Sequence, residues 1–172
     1  MRALTREPPE VFSPEVQRIC ASHGVAVVFV EEIPGARASG ATRWLTASKA
    51  LVQLSLRYRT DDHLWFTFFH EIAHVLLHGK KKVIIENSRP AAGDPIEAEA
   101  DRFSRDVLIP PRDAKEIPRL KTPRAVREFA SSTGVAPGIV VGRLQHDGLW
   151  AHSRGHQLKR RLTLGGTDTD AA

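Results

Sequence analysis

The sequence predicts one α+β domain, and three observations predict it. Short β-branched or alternating runs fill the first third of the chain, starting with Val25 to Val30. Segments with helical periodicity follow them, and the first is apolar on nearly every face between Leu64 and Leu77. Strands grouped together, rather than alternating one by one with helices, are the pattern of an α+β fold. The third observation is size: 172 residues at 41% hydrophobic content suit a single substantial core. The expected boundaries are an N-terminal extension over 1–12, the domain over 13–164 and a disordered Gly/Thr/Asp tail over 165–172.

Taken in order, Ser13-Pro14-Glu15 offers a capping hydroxyl, a first-turn proline and an acid near the positive helix end, so a helix is expected to His23. Gly24 is its stop. Val25 to Val30 reads as a buried strand, and Ala41 to Leu45 as a second one before a turn over Thr46 to Lys49. Leu51 to Arg59 alternates with period two. That run is expected either to pack as ordinary sheet or to stand at an edge and pair with an extended peptide. Thr60-Asp61-Asp62 caps the next helix and Gly79, followed by three lysines, ends it. A helix so apolar belongs at the centre of a domain. Val83 to Ile85 is a short strand, and Asn87 to Pro95 a loop. Another amphipathic helix opens at Asp94-Pro95, with Ile96, Ala100, Phe103 and Val107 as its stripe and Pro110-Pro111 as its end.

The central helix carries His70, Glu71 and His74 in the order H-E-x-x-H. Residues four apart share a helix face at about 6 Å. Two imidazoles there can ligate one Zn²⁺, and the adjacent glutamate can act as general base. Such a cation lowers the pKa of a coordinated water from about 16 towards 7. A third ligand is expected from the helix after Asp94. With Ile96 as origin, Glu97 falls at about 100° and Asp101 at about 140°, one flank, whereas Glu99 falls at about 300°. Glu97 is therefore the expected ligand and Asp101 the carboxylate that orients an imidazole, with Glu99 as the alternative ligand. His78, near the helix end, reads as a cation favoured by the helix dipole or as an oxyanion donor; Tyr58 and His146 are further donor candidates. Trp44, Trp65 and Trp150 are expected to pack.

Composition narrows the setting. No apolar run approaches the roughly 20 residues of a membrane span, and the first residues lack an apolar signal core. The lone Cys20 excludes an internal disulfide framework and a Cys-rich zinc site. A cytoplasmic protein is the resulting expectation. The net charge is +5, and Arg112 to Arg161 holds eleven Lys/Arg against four acids. Within it, Ala125 to Ser132, Gly134 and Pro137 to Leu144 read as helix, tight turn, helix. A DNA-binding helix-turn-helix is one reading. Ile139, Val140, Val141 and Leu144 favour the other, a helix packed against the core.

Together, His70-Glu71-Ile72-Ala73-His74, then Glu97-Ala98-Glu99-Ala100-Asp101-Arg102-Phe103, then Leu108-Ile109-Pro110 resemble the ImmA/IrrE zinc metallopeptidases. That family's signature joins H-E-x-x-H to E-x-(Q/E)-A-(N/D)-x-F-A and a Leu-x-Pro exit. Ser104 stands where the family has Ala. Val135 to His146 also resembles the end of these domains, so the likeness covers about residues 13–162. The resemblance implies a gluzincin-like fold: a small, twisted, mostly antiparallel sheet packed on the H-E-x-x-H helix and a glutamate helix, with extra C-terminal helices. It implies one zinc ion per chain and specific cuts in an intracellular regulatory protein, typically a helix-turn-helix repressor or an antitoxin, in bacterial stress, phage or toxin–antitoxin circuits. Many relatives carry an N-terminal helix-turn-helix, for which residues 1–12 are too few, so a stand-alone peptidase domain is expected. The alternative is a non-catalytic regulator or DNA-binding partner in the same kind of circuit.

Overall fold

The computed structural model describes residues 1–31, 38–55, 59–79, 84–85 and 94–163. Helix α1 (Pro9–Ala21) begins four residues ahead of the expected Ser13, because Pro9 already sits at the first helical position. The early start brings Phe12 into line with Val16 and Cys20, and all three are buried. Residues 1–12, expected to precede the domain, thus contribute to it. A 3₁₀ turn over Arg2–Arg6 buries Thr5, whose hydroxyl accepts the Ala136 N–H at 3.1 Å.

Strands β1 (Val25–Val30), β2 (Gly40–Trp44) and β3 (Ala50–Ser55) join a two-residue strand β4 (Ile84–Ile85) in one sheet of order β1-β3-β2-β4. β1 runs parallel to β3, while β2 is antiparallel to both β3 and β4. The alternating run of β3 therefore lies inside the sheet, paired on both sides. This corrects its reading as an edge for an incoming peptide: Ala50, Val52 and Leu54 all point into the core. Register aligns Val27, Val52 and Thr42 across three strands on that buried face.

Helix α2 (Asp61–Leu77) runs through the centre. Trp65 packs on Phe12 with ring centroids 5.1 Å apart and edge-on to Phe68 at 5.7 Å, which is how an all-round apolar helix gains its burial energy. Helix α3 (Pro95–Leu108), capped by the Asp94 carboxylate on the Ile96 N–H, crosses α2 in the opposite direction. Its fully buried positions are Ala100, Ser104 and Leu108, while Ile96, Phe103 and Val107 of the expected stripe are only half-buried. Ser104 donates its hydroxyl to the Phe66 carbonyl at 2.8 Å, so a polar residue at this buried site is satisfied.

After a short helix α4 (Pro111–Ala114), helices α5 (Pro123–Thr133) and α6 (Pro137–His146) follow. Ile139, Val140, Val141 and Leu144 of α6 are buried. A helix whose apolar side is used this way is packed as core, the second of the two expectations for this segment. Its glycines let it touch the start of α2: a Cβ at Gly142 would lie 2.7 Å from the Asp62 carboxylate, and one at Gly138 would run into Asp61. Residues 159–162 complete the grip. Lys159 Nζ donates to Asp62 Oδ2 at 2.6 Å and to Gln145 Oε1 at 2.7 Å, and the Leu162 N–H to the Arg59 carbonyl at 2.8 Å. The expected tail over 165–172 lies outside the described residues.

Asp61 supplies a pH signature. Burial first, and the neighbouring Asp62 carboxylate second, push its carboxyl up to about 7, against about 3.9 in an unfolded chain. The folded chain keeps this proton in a window where the unfolded chain has lost it. The stability it contributes is full below about pH 4, falls as pH rises, and is gone above about pH 7. Asp61→Asn keeps an acceptor for the Asp62 and Arg160 N–H groups. In urea titrations across that window, wild type is expected to lose midpoint relative to Asp61→Asn as pH rises; parallel curves would rule out the raised carboxyl.

Candidate metal centre

Two imidazoles are placed in the dry interior by the turn spacing of α2. His70 is 4% exposed and His74 2%. Their Nε2 atoms lie 3.0 Å apart. From α3, Glu97 reaches both, Oε2 at 3.2 Å from His70 and Oε1 at 3.6 Å from His74. One donor atom from each of the three residues lies within 4.8 Å of the others, which makes His70, His74 and Glu97 a group able to hold one metal ion.

The donor chemistry fits a cation. Asp101 Oδ1 lies 2.9 Å from His70 Nδ1. A carboxylate accepts, so that nitrogen carries the proton, and whenever the ring is neutral Nε2 keeps its lone pair. This lone pair points at a second imidazole nitrogen and at a carboxylate, a convergence of electron-rich atoms that a positive ion resolves. His74 is suited to ligation as well. Burial, then the neighbouring His70 and His78, lower its pKa to about 4, so its ring stays neutral at ordinary pH. Two nitrogens and one carboxylate oxygen form the set of a zinc site with one tetrahedral position open.

Glu71 is fully buried on the sheet side of α2. Thr42 of β2 donates its hydroxyl to Glu71 Oε2 at 2.5 Å and also lies 3.3 Å from the Glu71 carbonyl. Gly40, two residues earlier on the same face, makes room for the carboxylate: a Cβ there would stand 2.6 Å from Oε1 and 2.8 Å from Cγ. Neither Gly40 nor Thr42 was singled out from the sequence. The available signal was a glycine at the start of a strand, which marks close approach by another group.

The other expected site residues fall differently. Glu99 does not join the Glu97 group; its Oε2 lies 3.1 Å from His78 Nε2. His78 in turn places Nδ1 2.8 Å from His74 Nδ1. It therefore stands behind His74, on the ring nitrogen opposite the one that faces Glu97, rather than as an exposed terminal cation or beside the convergent Nε2 atoms. His146, at the end of α6, is exposed and pairs with Asp147 at 3.2 Å. Tyr58 lies outside the described residues. Trp65 and Trp150 are buried as expected.

The Peptidase_M78 family model, described as the IrrE N-terminal-like domain, matches residues 21–145. That segment holds β2, α2 and α3 together with every residue of the convergent group. No curated protein gives a significant match.

The contact between Glu71 and β2 can be tested by stability alone. Thr42→Val withdraws a donor from a buried carboxylate and is expected to cost about 1–3 kcal/mol. Gly40→Ala, by overpacking against the same group, is expected to cost about 1–3 kcal/mol. Urea unfolding measures both; changes below about 0.5 kcal/mol in each, the range of ordinary surface substitutions, would show that Glu71 does not rest on this strand.

Proposed function

The chain belongs to the IrrE N-terminal-like (Peptidase_M78) family of metallopeptidases, and on that premise we propose that it is a zinc-dependent endopeptidase with a gluzincin-like site. The observation that carries this reading is the convergence of His70, His74 and Glu97 within 4.8 Å, with the buried Glu71 next to His70 in the chain. His70 Nε2, His74 Nε2 and a Glu97 oxygen would hold the ion. Zinc bound there supplies Lewis acidity, lowering the pKa of water towards 7 and drawing charge from a scissile carbonyl.

The remaining steps belong to the protein. Glu71 removes a proton from the attacking water as its oxygen bonds to the carbonyl carbon. It then delivers that proton to the amine nitrogen as the C–N bond breaks, so one water is consumed per peptide bond. Thr42 fixes the carboxylate's direction through its 2.5 Å hydrogen bond, and Gly40 lets the strand lie close over it. Asp101 holds His70 with its Nε2 lone pair towards the group.

The family resemblance supports a specific intracellular regulatory protein as substrate, a helix-turn-helix repressor or an antitoxin, and a role in bacterial stress or toxin–antitoxin control. Among the described residues no helix is long and apolar enough to cross a membrane. Burial of the apolar side of α6 supports proteolysis over groove binding by this segment.

Metal analysis of the purified chain is the first check. About one zinc per chain is expected in wild type and in Glu71→Gln, with loss in His74→Ala. Cleavage of a substrate trapped by Glu71→Gln and identified by mass spectrometry should fall at least about 100-fold in that variant. A metal-free wild type would sink the proposal, and cleavage that survives Glu71→Gln would remove the proposed base.

A further inference from the structure

Behind the convergent group lies a chain of contacts that the peptidase reading leaves unused: Glu99 to His78 at 3.1 Å, and His78 to His74 at 2.8 Å. We propose that Glu99 and His78 form a relay of positioning residues that fixes the tautomer of His74, proton on Nδ1 and lone pair on Nε2. The proposal rests on the metal reading for its purpose, but the proton order itself is a property of the metal-free protein.

The order follows from what each atom can do. A carboxylate oxygen only accepts, so His78 Nε2 carries a proton and donates to Glu99. In a neutral imidazole the other nitrogen is then an acceptor, which makes His78 Nδ1 the acceptor in its contact with His74. His74 Nδ1 must supply that proton. The remaining nitrogen of His74, Nε2, is left with its lone pair; in the metal-free protein it accepts from His70 Nε2 3.0 Å away, and Glu97 lies 3.6 Å from it. With His78 neutral, the reverse order would require the carboxylate to donate. Solvent is a poor competitor in the middle of the chain, because the side chains of His78 and His74 are 5% and 1% exposed.

The relay mirrors the arrangement on the first imidazole. Asp101 reaches His70 Nδ1 directly, whereas Glu99 acts on His74 through an intervening ring. Helix α3 thus supplies three alternate acids with separate tasks. Glu97 turns towards both Nε2 atoms, and the acids two residues on from it and four residues on each set one histidine. The two flanks of α3 that a helical wheel separates serve the two histidines of α2. Outer partners of this kind orient ligating imidazoles, and their loss weakens metal binding by about 10–100-fold.

The decisive variant is Glu99→Lys. Glu99 is 59% exposed on its side chain, so the substitution leaves packing intact, and a terminal donor inverts the order. His78 Nε2 becomes the acceptor, His78 Nδ1 donates, and His74 is driven to carry its proton on Nε2. His78→Phe removes the middle of the relay while retaining a ring. Two-bond ¹H–¹⁵N correlation spectra of the ¹⁵N-labelled, metal-free protein read the tautomers, and chelator competition reads the Zn²⁺ dissociation constant. Wild type is expected to show His74 protonated on Nδ1 and Glu99→Lys to show it on Nε2. Zn²⁺ should bind about 10–100-fold more weakly in both variants. His74 protonated on Nε2 in wild type, or the same tautomer and Zn²⁺ affinity in Glu99→Lys as in wild type, would overturn the relay. A wild type that takes up no Zn²⁺ would instead overturn the metal reading, with the switch of tautomer between wild type and Glu99→Lys still supporting the relay.

Discussion

The structure depends on keeping three polar side chains, His70, Glu71 and His74, inside an apolar helix. Buried polar groups cost several kilocalories each unless they are paired. The rest of the domain is arranged so that each of the three finds its partners. Helix α3 brings carboxylates to the imidazoles, with Asp101 on His70 and Glu97 between the two rings. Strand β2 brings a hydroxyl and a side-chain-free position to Glu71. An apolar replacement of all three would pack more cheaply, so their retention in the dry centre is itself an argument for a site.

Precise placement of these groups requires that α2 be held along its whole length. Its middle is fixed by Trp65, Phe68 and Phe69 against Phe12 and the sheet. Its start is held by polar contacts: Asp61 accepts the Arg160 N–H at 3.1 Å, and Asp62 pairs with the buried Lys159. A buried ion pair contributes little net stability against an apolar substitute, yet it specifies one geometry, because a lone buried charge is strongly disfavoured. The first and last described segments are tied together at the same end, where the Arg160 guanidinium donates to the carbonyls of Arg6 and Glu7. The site lies towards the opposite end of the helix. The grip at the start and the acids near the end leave α2 little freedom to rotate, which is what a preorganised centre needs.

Much of this was legible in the residues. The apolar run from Leu64 to Leu77 gave the central helix, and the capping signals placed Asp94 and Pro95 at the start of α3. Angles on the wheel put Glu97 and Asp101 together, and in the structure both reach His70. Glu99 shows where that reasoning stops. A wheel compares residues on one helix, and the partner of Glu99 is His78 on another. The alternation from Leu51 to Arg59 gave a strand with one buried face, seen as β3 over Ala50–Ser55, but period two says nothing about neighbours. Whether β3 lay at an edge or inside depended on β1 and β2 pairing with it from both sides.

By itself the sequence determined the elements and the chemistry they carry: a buried helix with two imidazoles and a glutamate on adjacent faces, and a second helix rich in acids. Local propensity, periodicity and the fixed 100° step of the helix are enough for that, because each involves residues close in the chain. Tertiary structure decided which acid faces which ring, that Thr42 and Gly40 support Glu71, and that residues 2–6 and 159–162 hold the domain together. These contacts join residues far apart in sequence, and no local rule specifies them. They arise when burial of the apolar core sets the helices and strands at one distance and one register, and buried polar groups then select the partners within reach.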